Sequence, residues 1–243
     1  MNSGPLPPPE TKAVHVRSMF GAIAPRYDFL NHLLSLNRDR AWRRRGVDVL
    51  LAGTATRRPG AVVLDSCAGT LDLSVELARR AEFRGTVLGF DFAFPMLSAG
   101  ASKATSMPIV PACADALRLP LPDGCCDGAM VAFGVRNLAD LDAGLREFAR
   151  VLRPGGRLMI LEFMTPQWQP FRALYLYYFR RLLPLVGRLV SKHGSAYSYL
   201  PASVLEFPEP AELKARMEAA GFTAVTWEAL TGGIVALHAG ERG

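Results

Sequence analysis

No apolar run in this chain of 243 residues approaches the roughly 20 that a membrane-spanning helix needs, so an integral membrane protein is not expected. The segment from Met1 to Glu10 is proline-rich and has no basic, apolar signal region, which argues against secretion. Cysteine is scarce. Cys67, Cys113, Cys125 and Cys126 show no metal-type spacing, so no metal site is expected and buried thiols in a reducing cytoplasm are the reading. Two nucleotide signatures are missing as well. The turn after the first strand holds only Gly69, so the G-x-G-x-x-G fingerprint of NAD and FAD proteins is absent, and no G-x-x-x-x-G-K-[ST] phosphate loop occurs. No internal repeat is visible.

What the chain has is apolar mass and local charge. Half of its residues are hydrophobic, enough to bury one full core. Its net charge of +6 is concentrated at residues 38–45 and 172–192. The first arginine cluster reads as a solvated helix face, or as a contact for an anionic lipid surface or substrate. The second lies in Phe171 to Lys192, a stretch at once aromatic, aliphatic and basic. That mixture suits a helix in a membrane interface, the lining of an apolar pocket, or an ordinary cap over the core.

The order of elements follows from apolar periodicity. A disordered leader is expected over residues 1–11, then helices broken at Pro25 that form an N-terminal cap over 12–53. The run Ala61-Val62-Val63-Leu64-Asp65 is a buried strand that passes through a small-residue turn into an amphipathic helix. Strands are expected at 85–90, 108–113, 127–133, 156–163, 223–229 and 233–238. Helices are expected at 93–104, 141–152 and 210–220, with an apolar, basic helical insertion over 171–200. Strands alternating with helices imply an α/β fold, a mostly parallel seven-stranded sheet covered on both faces.

Acids end several of these strands. Asp65 closes the first, Asp91 the second, and Asp115-Ala116 follow the third. An acid at the end of the second strand suits the two hydroxyls of a ribose. Together with Gly69 this set resembles the S-adenosylmethionine site of Rossmann-like class I methyltransferases. Other stretches narrow the likeness. Tyr27-Asp28-Phe29-Leu30-Asn31 with Ser35 and Trp42, then Phe133-Gly134-Val135-Arg136-Asn137, then Arg153-Pro154-Gly155-Gly156 with Leu161-Glu162-Phe163, then Ser198-Tyr199-Leu200 and Leu230-Thr231-Gly232-Gly233 occur in order. From about Val14 to the C-terminus the chain resembles the ubiquinone/menaquinone biosynthesis C-methyltransferase family.

The resemblance implies methyl transfer from S-adenosylmethionine to a ring carbon of a polyprenylated quinol. The product would be menaquinol from demethylmenaquinol, or the methylated form of 2-methoxy-6-polyprenyl-1,4-benzoquinol. Asp65, Gly69, Thr70, Asp91, Asp115 and Ala116 are the expected cofactor residues. A quinol carbon becomes nucleophilic when its neighbouring hydroxyl loses a proton, so the site must align the reactants and handle that proton. Arg136, Asn137 and Glu162 are the catalytic candidates; Tyr27, Asn31, Tyr175, Tyr178, His193 and Tyr197 are the candidates for holding substrate. A cytoplasmic protein in transient peripheral contact with the anionic inner face of the plasma membrane is expected, without nucleic acid; the oligomeric state is open, a homodimer included.

Leu71 stands where the family usually has glycine. Its side chain either crowds the cofactor or packs beneath the sheet, and packing is the expectation because the other motifs are in place. The competing readings are a relative that methylates another lipophilic ring and a quinone- or lipid-binding protein that has lost catalysis.

Overall fold

The structure, a computed structural model, describes residues 6–178 and 195–243. Helix α1 (Pro9–Ile23) begins inside the stretch expected to be a leader. Proline suits the first turn of a helix, where an N–H has no intrahelical partner to lose. Pro25 sits in a 3₁₀ turn, Ala24–Arg26, followed by α2 (Tyr27–Leu34) and α3 (Arg38–Leu51). Leu36 and Asn37 reverse the chain between them at φ values of 51° and 59°.

The remaining elements are β1 (Val62–Ser66), α4 (Asp72–Ala78), β2 (Thr86–Asp91), α5 (Phe94–Gly100), β3 (Ile109–Cys113), β4 (Cys126–Ala132), α6 (Leu141–Val151), β5 (Leu152–Phe163), α7 (Phe171–Tyr177), α8 (Ser195–Glu206), α9 (Pro210–Ala219), β6 (Phe222–Leu230) and β7 (Val235–Arg242). The strands form one sheet of order β3-β2-β1-β4-β5-β7-β6. The pairings from β3 to β5 are parallel, and β7 runs antiparallel to both β5 and β6.

Successive side chains in the central strands go to opposite faces. Val63, Met130 and Met159 join one buried cluster with Val47 and Leu50 of α3, while Leu64, Val131 and Ile160 join another with Phe148 of α6 and Met217 of α9. Two local expectations change. Strand β5 begins at Leu152, which pairs with Cys126; the residues up to Arg157 are an irregularity around Gly155 (φ 74°). The Arg-Pro-Gly-Gly stretch is therefore a distortion within the strand's edge. Cys113 is exposed, because it ends β3 at the sheet margin where no further strand covers it.

Leu71 caps α4 at a left-handed φ of 67° and is fully buried. Its side chain enters the cluster beneath β1 and β2, where Gly89 makes room for it: a Cβ on Gly89 would stand 2.7 Å from the Leu71 Cδ2. A glycine at this position would relieve about 1–2 kcal/mol of left-handed strain. It would also empty a leucine-sized site, which costs about 2–5 kcal/mol. Leu71→Gly is therefore expected to lower stability by about 1–3 kcal/mol in a denaturant titration. A more stable variant would show that the strain, and not the packing, dominates.

Candidate active site

The sheet order reverses between β1 and β4, and a cleft opens there at the carboxyl ends of the strands. Its floor is a strained turn. Cys67 and Gly69 have φ values of 55° and 54°, and Phe133, at the end of β4, has 58°. Asp91 fastens this turn to β2. One carboxylate oxygen accepts the Gly69 N–H at 2.9 Å, and the other accepts the Ala93 N–H at 2.8 Å. Burial pushes the Asp91 carboxyl up, and these two amides work against that shift. Each oxygen keeps a lone pair for a further donor.

Of the expected cofactor residues, Gly69, Asp91, Asp115 and Ala116 line the cleft. Asp115 accepts the Leu117 N–H at 2.9 Å, which fixes the small turn after β3. Asp65 and Thr70 take other places. Asp65 is buried under the turn and accepts the Ser74 hydroxyl at 2.6 Å, anchoring α4. The Thr70 hydroxyl donates to Asp28 at 2.5 Å, tying the turn to the start of α2. Both brace the cleft, and neither lines it.

Helix α1 crosses the cleft, with Ala13 and Val16 as its roof. The Lys12 ammonium donates to the carbonyls of Arg136 (3.0 Å) and Leu138 (2.7 Å) on one bank. On the other bank Arg17 donates to the Phe92 carbonyl at 2.8 Å. Burial lowers the Lys12 pKa. Beneath this strap the cleft encloses about 70 Å³. Helix α1 thus covers the cleft and is tied to both of its banks.

On the other side of one wall lies an apolar chamber of about 640 Å³. Phe20, Tyr27 and Phe133 line both spaces and form the wall between them. The Phe133 ring is held by Phe163 at 4.5 Å and Trp42 at 6.1 Å between centroids. Of the candidates for holding substrate, Tyr27, Asn31, Tyr175 and Tyr178 line the chamber. Burial raises the Tyr27 pKa, with Asn31 and Arg43 opposing, so the phenol stays protonated at neutral pH. His193 lies outside the described residues; Tyr197 falls in α8, but its side chain is not described.

The three catalytic candidates separate. Asn137 lines the cleft; its amide donates to the Phe133 carbonyl at 3.4 Å, while its Oδ1 is buried with no partner among the described residues. Arg136 lines the chamber and donates to the Phe133 carbonyl (2.6 Å) and to Glu162 (2.7 Å). Glu162 lines neither space. It is 1% exposed and accepts from Arg136 and the Phe163 N–H, so it orients Arg136. Burial raises its pKa, and Arg136 opposes the shift.

The sequence reading missed Asp39 and Arg43. The arginine cluster splits: Arg38, Arg40, Arg44 and Arg45 are exposed, whereas Arg43 is buried in the chamber wall. Asp39, also buried, accepts from Arg43 and from the Ser35 hydroxyl at 2.7 Å, and lies 2.8 Å from His32 Nδ1. Ser35 and Arg43 lower the Asp39 carboxyl pKa against its burial, which pushes it up. The available signal was the four-residue spacing of Asp39 and Arg43 around Trp42.

A seven-stranded sheet of this order, with an acid fastening the turn at its switch point, defines a Rossmann-like class I methyltransferase. Solved structures agree at the level of the fold. A putative methyltransferase complexed with the Trm112 activator of Haloferax volcanii aligns with a TM-score of 0.65 at 15% identity, over 91% of this chain and 96% of that one. The chain belongs to the ubiE/COQ5 methyltransferase family, whose model matches residues 9–242. It is 48% identical over 226 residues to the demethylmenaquinone methyltransferase of Thermus thermophilus, covering 92% of this chain and all of that protein. It is 43% identical over 236 residues to the ubiquinone/menaquinone biosynthesis C-methyltransferase UbiE of Geobacter sulfurreducens, covering 96% and 90%.

Two predictions follow from the cleft. Burial pushes the Asp65 carboxyl from its ordinary 3.8 up to about 7. The folded protein thus keeps a proton there that the unfolded chain has lost, and stability falls as pH rises through that window. Asp65→Asn removes the titration and should gain on wild type by roughly a few kcal/mol between about pH 4 and pH 8, read by denaturation at each pH. A difference that stays flat with pH contradicts this. Separately, Lys12→Ala with Arg17→Ala should release α1 and speed ligand dissociation from the cleft in stopped-flow, with little change in fold. An unchanged off-rate would mean that α1 is no gate.

Proposed function

We propose that this protein methylates a ring carbon of a polyprenylated quinol, demethylmenaquinol to menaquinol or the corresponding 2-methoxy-6-polyprenyl-1,4-benzoquinol, with S-adenosylmethionine as methyl donor. The observation that carries this reading is the common wall of Phe20, Tyr27 and Phe133 between a nucleoside-type cleft and a large apolar chamber. The names of the relatives favour the naphthoquinol.

The cleft suits its cofactor by the chemistry of its donors and acceptors. Asp91 offers free lone pairs to ribose hydroxyls, and Asp115 with Ala116 bounds a slot for an adenine edge. Leu71 leaves that space clear because its side chain is buried under the sheet. When bound, S-adenosylmethionine supplies a methyl group on a cationic sulfur that departs as a neutral thioether.

The chain's own residues supply alignment and charge. Aromatic and aliphatic side chains of the chamber exclude water from the ring. The Tyr27 phenol donates to a quinol oxygen, and the free Asn137 Oδ1 accepts from a hydroxyl or amino group. Arg136, oriented by Glu162, and Arg43, oriented by Asp39, put two buried guanidinium groups at the chamber wall, where they lower the cost of a phenolate. Transient contact with the anionic membrane surface through Phe171 to Lys192 belongs to the same reading; residues 179–192 of that stretch lie outside the described residues, and no described helix is long and apolar enough to cross a membrane.

The deciding experiment incubates the protein with methyl-labelled S-adenosylmethionine and a set of demethylated naphthoquinols and benzoquinols. Label on the ring carbon supports the proposal; binding of both compounds without transfer would make the protein a quinol carrier. Asp91→Ala should weaken S-adenosylmethionine by about 1.5–3 kcal/mol in calorimetry, the worth of charged hydrogen bonds. An unchanged affinity in a folded variant would remove Asp91 from the site.

A further inference from the structure

We propose that the α2–α3 hairpin is a docking face for an anionic phospholipid bilayer, with a cationic basin beside α2 that takes the phosphate headgroups. The proposal rests on the quinol reading above and adds to it the face that meets the lipid.

Three features converge on this hairpin. The outer side of α2 carries Phe29 and Leu33, 60% and 43% exposed, and the turn after it carries Leu36, 82% exposed at a left-handed φ of 51°. Neither Phe29 nor Leu33 belongs to a core cluster. Across from them α7 presents Leu174 and Tyr177, 64% and 60% exposed. Leu36, Leu174 and Tyr177 also line the chamber, so they mark its mouth. The chamber therefore opens between exposed apolar side chains of the α2–α3 turn and α7, with Phe29 and Leu33 exposed on the neighbouring side of α2, and a water-facing surface seldom gathers so many large apolar side chains without a partner.

The third feature is charge. On the side of α2 away from the mouth, His32 and α3 border a basin of about 440 Å³. Five cations line it, Arg40, Arg43, Arg44, Arg79 and Lys103, against two carboxylates, Asp72 and Glu76. Lys103 is held by Asp28 and Asp72, and Arg43 by Asp39. Arg40 and Arg79 are exposed and have no ion-pair partner among the described residues. An apolar ridge flanked by unpaired arginines is the pattern of an interfacial segment that buries its ridge among acyl chains and leaves its cations at the phosphates.

The chamber's size supplies the reason for such a face. At about 640 Å³ it holds several benzene-sized volumes of about 150 Å³, enough for a ring system and the first units of a tail. The rest of a polyprenyl chain has to pass the mouth, and it needs apolar surroundings there. A second copy of the chain is a poorer occupant, because a two-fold contact centred on the ridge would bring the basins' unpaired arginines toward one another.

The test is flotation of the purified protein, without substrate, on vesicles of phosphatidylcholine alone or mixed with phosphatidylglycerol. Wild type is expected to float with the anionic vesicles only, and added salt should weaken this. Phe29→Ser with Leu33→Ser, and separately Arg40→Gln with Arg79→Gln, should each reduce the partition constant by about tenfold or more. The Phe29, Leu33 variant should keep wild-type activity on a short-tailed, water-soluble quinol, which certifies its fold. Wild type that ignores anionic vesicles overturns the proposal, as does an apolar double variant that floats as well as wild type. Loss of a dimer in that variant with unchanged flotation would assign the ridge to a second copy and overturn it too. Vesicle binding by a protein that methylates no quinol would sink the functional reading and leave the docking face standing.

Discussion

A methyl donor that is polar and charged has to meet an acceptor that is greasy and nearly neutral, and one wall has to serve both. Phe20, Tyr27 and Phe133 are that wall. Each reaches it from a different part of the chain: α1, the start of α2 and the end of β4. Phe133 can face both ways because β4 ends in a left-handed residue, a costly conformation that its packing against Trp42 and Phe163 secures. Tyr27 stands there because Asp28, next to it, is fastened to Thr70 and Lys103. The helical cap is thus locked to the cofactor turn, and the chamber keeps its register with the cleft.

Buried charge around this wall comes in pairs. Arg136 with Glu162 and Arg43 with Asp39 each place a guanidinium beside apolar surface, and each carboxylate removes most of the cost of doing so. Such pairs add little to stability compared with well-packed apolar residues. Their value is electrostatic: a fixed cation field at an apolar wall, ready for negative charge that appears on an oxygen during reaction.

Much of the fold was legible because the central strands are buried on both faces and read as short apolar runs. The acid at the end of β2 was legible for the same reason, since a strand's end is where such a run stops. The two most distinctive motifs, near residues 27–42 and 230–238, turn out to touch: the Trp42 indole donates to the Thr231 hydroxyl at 2.8 Å across the chamber's edge. Less was legible where burial depends on partners far away in sequence. Only a four-residue spacing from Asp39 distinguishes Arg43 from its neighbour Arg44, yet one is in the chamber wall and the other in water. Asp65 and Glu162 look like site acids, but the tertiary fold turns them to Ser74 and Arg136. Leu71 finds its place in the core because Gly89 on the neighbouring strand leaves room for it, a partner 18 residues away that no local pattern reveals.

The most direct measurement of this account is a crystal structure of the protein with S-adenosylhomocysteine and a short-tailed quinol bound together. It should place the ribose hydroxyls on Asp91 and the quinol ring against Tyr27 and Phe133, with the tail leaving past Leu36 and Leu174. A ring bound outside the chamber, or a nucleoside away from Asp91, would contradict the shared wall on which the whole reading stands.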